Sequence, residues 1–302
     1  PVALGNDVNL GTLGEKWLGS AHDASSAVGI FVGTGIGGGY FADGKLQRGF
    51  GGGAGEVGHM IMQIDGPKCG CGNRGCFEAL ASRTAIERDI RAAIDAGRKS
   101  VVPDLLKEKS SSLIRSGILK QALADGDKLV TEVLKRASEI IGYACRSICH
   151  LIEPEAFVLG GGVIEACWDF MLPIIEEVVE SDPFSGERPG GRVLLSALGD
   201  DAVALGAVAL AQQRAGLDPF KVVAAAATQC AAIRPADSGF MVGRDVYEHE
   251  IYVRAGREVV RPKKSVAKKV SEGGKGKIGQ NVLERICVGS PAVLFLPGVD
   301  DG

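Results

Sequence analysis

Apolar positions fall into two textures along the chain: short continuous runs, and longer stretches at helical spacing. The run Ala27-Val-Gly-Ile-Phe-Val-Gly33 is too short for a helix and predicts a buried strand. A glycine loop and a second short strand at Gly39-Tyr-Phe41 follow. Tyr40-Phe-Ala-Asp-Gly-Lys45 reads as that strand entering a hairpin turn. Helical spacing governs Val8–Leu18 and 77–96. The longest amphipathic pattern, 127–152, opens on Asp127, a fair N-cap. Beyond it come a strand at Ala156–Gly160, a helix at Val163–Glu180, a strand at Arg192–Ser196 and a small-residue helix at Ala202–Ala215. Strands alternating with helices predict an α/β fold.

Composition narrows the class. The 302 residues suffice for more than one domain, and 45% are hydrophobic, enough for a real core. A 24% charged content and a net charge of −3 argue against disorder, a histone-like nucleic-acid binder and a coiled coil. No run of 18 apolar residues occurs, so no membrane span is expected. The opening Pro-Val-Ala-Leu lacks a basic region followed by an apolar stretch, so no secretory signal is expected. A first motif so near the start suggests a piece of something longer. After Gly216 the texture changes, which predicts a linker at 216–233 and a separate domain at 234–302. Within the latter, residues 254–277 hold nine Lys or Arg against two Glu.

Cysteine spacing carries the sharpest chemical signal. Five of the eight (Cys145, Cys149, Cys167, Cys230, Cys287) lie in apolar segments and read as buried thiols. This usage suits a reducing cytoplasm. The other three stand close together, as Cys69-Gly-Cys71-Gly-Asn-Arg-Gly-Cys76, with His59 ten residues ahead of Cys69. Three thiolates and an imidazole form a closed tetrahedral set, the preference of structural zinc. Four protein ligands leave no open position, so such an ion builds shape and does not activate water. Incidental buried cysteines, or an iron–sulfur cluster, are the weaker readings.

Gly33-Thr-Gly35-Ile-Gly37-Gly-Gly39 formally satisfies the dinucleotide-binding fingerprint but leads into a strand where that fingerprint opens a helix. A glycine loop between strands can still offer backbone N–H groups, and the Thr34 hydroxyl, to phosphate oxygens; a tight turn without a ligand is the alternative. Gly160-Gly161-Gly162 sits at a strand-to-helix junction, where backbone approaches a ring or phosphate closely. Asn6-Asp7 precedes a helix, so Asp7 reads either as a cap or as an acceptor for a hydroxyl proton. Glu56 and Glu78 flank the metal motif on both sides, as rigid acceptors for a many-hydroxyl ligand would.

Taken together, Gly33-Thr-Gly-Ile-Gly-Gly-Gly39, Gly53-Ala-Gly-Glu-Val-Gly-His-Met60 and Cys69-Gly-Cys-Gly-Asn-Arg-Gly-Cys-Phe-Glu78 resemble the ROK family of bacterial sugar kinases and repressors, over about residues 1–215. The ATP-dependent glucokinase branch is the nearest likeness. The resemblance implies an actin-like ATPase (ribonuclease H-like) fold, present in part, with a small α/β domain appended. It implies Asp7 as catalytic base, and Asn6, Glu56, His59 and Glu78 as sugar contacts, with His59 also on zinc. It places Thr34 and Gly35 in a phosphate loop and Gly160, Gly161 and Gly162 on the adenosine side. It further implies structural Zn2+, Mg2+ with ATP, a hexose (glucose first) as substrate, and a homodimer in the cytoplasm. Nucleic acid is a partner only if the protein is a sugar-responsive repressor. The family's Asp-x-Gly-Gly-Thr loop, which stands upstream of the Asn-Asp pair, does not occur here. A longer native protein is the expectation, and a truncated product without turnover the alternative.

Residues 234–302 fall outside that likeness. They loosely resemble a small α/β domain of archaeal proteins and of a mitochondrial complex I assembly factor, with no chemistry implied. His249 reads as structural. The basic stretch reads as a solvated face, an acidic partner or RNA being the alternative.

Overall fold

A computed structural model describes residues 3–184 and 191–221, with the backbone of 253–254 and 258–259. Most of the expected linker and C-terminal domain, including His249, Cys230 and Cys287, lies outside the described residues. Backbone contacts divide the chain into Leu4–Ala207 and a second unit that includes Val208–Gly302. In the second unit, Val253–Arg254 pairs antiparallel with Glu258–Val259. All the candidate residues belong to the first.

That first unit runs α1 (Asp7–Leu18), β1 (Ala27–Val32), β2 (Ile36–Ala42), β3 (Lys45–Leu46), α2 (Phe77–Ala81), α3 (Arg83–Asp95), α4 (Val102–Glu108), α5 (Ser116–Ala124), α6 (Lys128–Ile152), β4 (Ala156–Gly160), α7 (Gly162–Glu180), β5 (Arg192–Leu195) and the start of α8 (Ala202–Arg214). The sheet order is β3-β2-β1-β4-β5. β1 to β3 form an antiparallel meander, while β4 and β5 continue the sheet in parallel from β1. Asp43 and Gly44, both at positive φ, make the tight turn expected between β2 and β3.

Alternation along the strands sorts the two faces. Val28, Ile30 and Val32 of β1 and Phe157 and Leu159 of β4 join Ile141, Cys145 and Ile148 of α6 and Met171 and Ile175 of α7 in the main core. The opposite face buries Ala27, Ala156 and Val158 against Ala21 and Ala24. Both faces are covered, as the near-continuous apolar runs of β1 and β4 require. Helix α1 also lies on this second face, with small residues letting it approach at backbone distance. A Cβ on Gly206 would stand 1.7 Å from the Leu10 carbonyl oxygen. Burial pushes the Cys145 and Cys167 thiols up, Cys167 to about 11, as expected of inert core thiols, whereas Cys149 is half-buried.

Some boundaries differ from the sequence expectation. The helix predicted over 77–96 is two helices, because the Ser82 hydroxyl accepts from the Ala85 N–H at 3.2 Å and starts α3 afresh. Helices α4 and α5 carry too few periodic positions to stand out in the sequence. Helix α7 departs from helical angles at Cys167, ahead of Pro173, which has no backbone donor.

The Asp127 cap holds as expected. Its carboxylate accepts from the Val130 N–H at 3.0 Å, and from the Ser100 hydroxyl and Val101 N–H at 2.7 Å each. Burial opposes its charge, yet these donors win and hold the group below the usual aspartate range. Asp127→Ala should therefore cost about 1–2 kcal/mol at neutral pH. A lowered folded pKa means this contribution is complete above about pH 4 and is lost as pH falls through the folded value. Urea unfolding of both proteins at neutral pH and at about pH 2 checks it; a gap that does not narrow in acid contradicts the role of the charge.

Candidate functional site

The metal motif folds as a small antiparallel knuckle. Bridges join Ile61 to Cys76 and Lys68 to Arg74. The Cys69 N–H donates to the Asn73 carbonyl and the Gly75 N–H to the Pro67 carbonyl, both at 2.8 Å. His59 ends a short 3-10 turn, Val57–His59, and turns Nδ1 toward the cysteines. One ligand atom each from His59, Cys69, Cys71 and Cys76 falls within 4.8 Å of the others. A tetrahedral zinc with bonds of about 2.3 Å to sulfur and 2.0–2.1 Å to nitrogen sets S···S near 3.8 Å and S···N near 3.6 Å. The Cys71–Cys76 sulfurs stand 3.7 Å apart, and Cys69 Sγ stands 3.7 Å from His59 Nδ1. The residues fit the ion. Burial, with Cys71 and Cys69 adding, pushes the Cys76 thiol up to about 12, so a cation is what would hold it as a thiolate.

Glu78, the second residue of α2, links this knuckle to the glycine loop. Its Oε1 lies 3.5 Å from Cys69 Sγ, and its Oε2 accepts from the Ile36 N–H at 3.0 Å. The loop itself is pinned from α3. The Arg83 N–H donates to the Gly33 carbonyl, and the Thr84 hydroxyl to the Thr34 carbonyl at 2.7 Å. The Gly33 N–H donates to the Gly35 carbonyl at 2.9 Å. Three consecutive loop carbonyls thus have protein donors. Among the described residues, the N–H groups of Thr34 and Gly35 have no protein acceptor. Both can therefore donate to an anion at the loop.

Asn6, not Asp7, caps α1: its Oδ1 accepts from the Val8 and Asn9 N–H groups at 3.1 Å each. Asp7 is the first helical residue and is exposed, its Oδ1 accepting from the Val8 N–H at 2.9 Å. Glu56 is also exposed, just ahead of the Val57–His59 turn, and so is held through its backbone and not through its carboxylate. The structure corrects the symmetric picture of two carboxylates fixed by the metal knot: Glu78 is fixed by its side chain, Glu56 is not.

These pieces pack against one short stretch, residues 35–38, with α1 on one face of β2 and the loop before Val57 on the other. A Cβ on Gly35 would meet Glu78 Oε2 at 2.3 Å. One on Gly37 would meet Val8, neighbour of Asp7, at 2.3 Å, and one on Gly38 the carbonyl of Gly55, neighbour of Glu56, at 2.4 Å. Gly160 pairs with Phe31 across the parallel β1–β4 ladder. Gly161, at φ 86°, precedes α7 with its Cα against the Val32 backbone. Both glycine clusters therefore sit at the carboxyl ends of adjacent parallel strands, where open α/β sheets bind ligands.

Sequence reading missed Glu15. Fully buried on α1, its carboxylate accepts from the Ser20 N–H, the Ser196 hydroxyl at 2.6 Å, and the Ala197 and Leu198 N–H groups. It locks α1 to the segment after β5. Asn9, Thr12 and Glu15, three residues apart, make a polar stripe on the buried face, and that spacing was the available signal. Arg83 was also missed, because nothing local marks it as reaching the loop.

Residues 1–214 match the model of the ROK family. The chain is 35% identical over 217 residues to a glucokinase of Thermotoga maritima, covering 71% of this chain and 67% of that protein. It is 30% identical to a xylose repressor of Caldicellulosiruptor bescii, covering 70% and 52%. A solved ROK glucokinase from Streptomyces griseus, in complex with glucose and AMPPNP, superposes with a TM-score of 0.63 at 32% identity, covering 70% of this chain and 69% of that one. The chain thus spans about half to two thirds of the length of these relatives. The antiparallel meander continued by parallel β4 and β5 is part of the actin-like ATPase fold that these structures share. No helix among the described residues is long and apolar enough to cross a membrane. On sequence and architecture alike, the chain belongs to the ROK family.

Proposed function

We propose that this chain carries the base, the sugar contacts and one phosphate loop of an ATP-dependent hexose kinase, with glucose as substrate. The observation that supports this reading best is the Glu78 carboxylate, held between the Ile36 N–H and Cys69, with the Asp7 end of α1 and the Glu56 loop packed on either face of the same strand. Asp7 takes the proton of a sugar hydroxyl as its oxygen bonds to the γ-phosphorus. The bond from that phosphorus to the bridging oxygen breaks, and ADP leaves. Asn6, Glu56, Glu78 and His59 Nε2 orient the hydroxyls, with His59 Nδ1 on zinc. Zinc held by His59, Cys69, Cys71 and Cys76 supplies shape, and Mg2+ arriving with ATP neutralises phosphate charge. Thr34 and Gly35 hold phosphate oxygens through their N–H groups, and Gly160–Gly162 lie along the nucleoside.

The 30% identity to a xylose repressor supports a second reading, a sugar sensor without turnover. Asp7 favours the kinase, since a sensor has no use for a base. A hexose panel incubated with ATP and Mg2+ and the full-length protein separates the two. The kinase reading expects a phosphorylated product, with glucose the best acceptor. Sugar binding with no product supports the sensor, and no sugar binding removes both.

A further inference from the structure

The donors on the glycine loop include a cation that the loop's own sequence does not supply. Arg83 Nη2 donates to Thr34 Oγ1 at 3.2 Å, while its backbone N–H holds the Gly33 carbonyl. The Thr34 hydroxyl, accepting from Arg83, keeps its own proton for another acceptor. Arg83 Nη1 donates to Glu87 at 3.1 Å, but Glu87 is shared: Arg91 donates to its Oε1 through Nε and Nη2 at 2.9 and 2.7 Å. One carboxylate between two guanidiniums leaves the cluster with a surplus positive charge. Arg83 itself is largely buried, its side chain 18% exposed, so this charge is fixed in place and poorly screened. Its two bonds also use only part of a guanidinium's five donors.

We propose that Arg83 binds the phosphate chain of the nucleotide, completing with the Thr34 and Gly35 N–H groups and the Thr34 hydroxyl a four-donor cradle for phosphate oxygens. This rests on the kinase reading above and adds a charged contact to it. A guanidinium suits the role because it forms charge-assisted, directional bonds to phosphate and cannot lose its proton. Glu87 is the positioning residue: it orients the fork and tempers its charge. Arg91, bonded as well to the Ser112 carbonyl, steadies Glu87 from the far side.

Calorimetric titration of the full-length protein with MgATP, and separately with adenosine and with glucose, tests this without needing turnover. Arg83→Gln should weaken MgATP about 10–100-fold and leave adenosine and glucose within about twofold. Glu87→Gln should leave MgATP affinity unchanged or severalfold tighter, because it removes the opposing charge. A merely structural Arg83–Glu87 brace expects the reverse, weakening in both variants and for adenosine too. MgATP affinity unchanged in Arg83→Gln overturns the proposal and leaves the kinase reading standing. Wild-type protein that binds glucose but no nucleotide overturns both.

Discussion

Asp7→Asn in the full-length protein should lower phosphoryl-transfer turnover about 10²–10⁴-fold, the range for loss of a positioned base. Hexose affinity should stay within about threefold, because an amide of the same shape still accepts a hydrogen bond from the substrate hydroxyl. The helix should not suffer, since Asn6 and not Asp7 provides the cap. That separation makes the test clean: the variant removes a proton acceptor without removing a structural bond between elements. Single-turnover kinetics with calorimetric sugar binding on the same samples gives both readouts. Turnover within a few-fold of wild type takes the role of base away from Asp7. Equal loss of binding and turnover makes it a sugar contact instead.

The second large effect concerns the knuckle. Elemental analysis of purified protein should find one zinc per chain. Its removal by a strong chelator, or Cys71→Ser, should lower the melting temperature by about 10 °C or more. Structural zinc contributes many kcal/mol to the fold it closes, and each kcal/mol is worth about 2–4 °C in a chain of this size. Sugar affinity should fall with it, as Glu78 lies against Cys69 and cannot keep its place if the knuckle opens. Cys71 is the informative ligand because it is exposed, so serine there leaves no cavity. An unchanged melting curve after demonstrated removal of metal contradicts the structural assignment.

Wherever the determining forces are local, the sequence was a good guide. The strand at Ala156–Gly160 is found as expected, because a short apolar run bounded by a helix end and glycines has few other solutions. The Asp127 cap was readable from residue type and position alone. The metal set was legible because thiol chemistry tolerates few spacings, and the knuckle brings all four ligand atoms together. What escaped were interactions across the chain. Glu15 and its donors near Ser196 are far apart in sequence. Arg83 reaches Thr34 only because the β1–β2 turn and the start of α3 meet in space. No periodicity encodes such pairings. Ser82 shows the intermediate case: its capping hydroxyl lay within view, but the continuous amphipathic pattern over 77–96 outweighed it.

The seating of α1 bears on how the site can move. With Gly14 and Gly206 allowing the main chain of α1 to meet that of α8, and Glu15 saturated by donors, the second half of this helix is held by backbone contact and a buried carboxylate. A shift of α1 along its axis must therefore carry α8 and the segment after β5 with it, so the backbone at position 7 is anchored from the far end of its own helix.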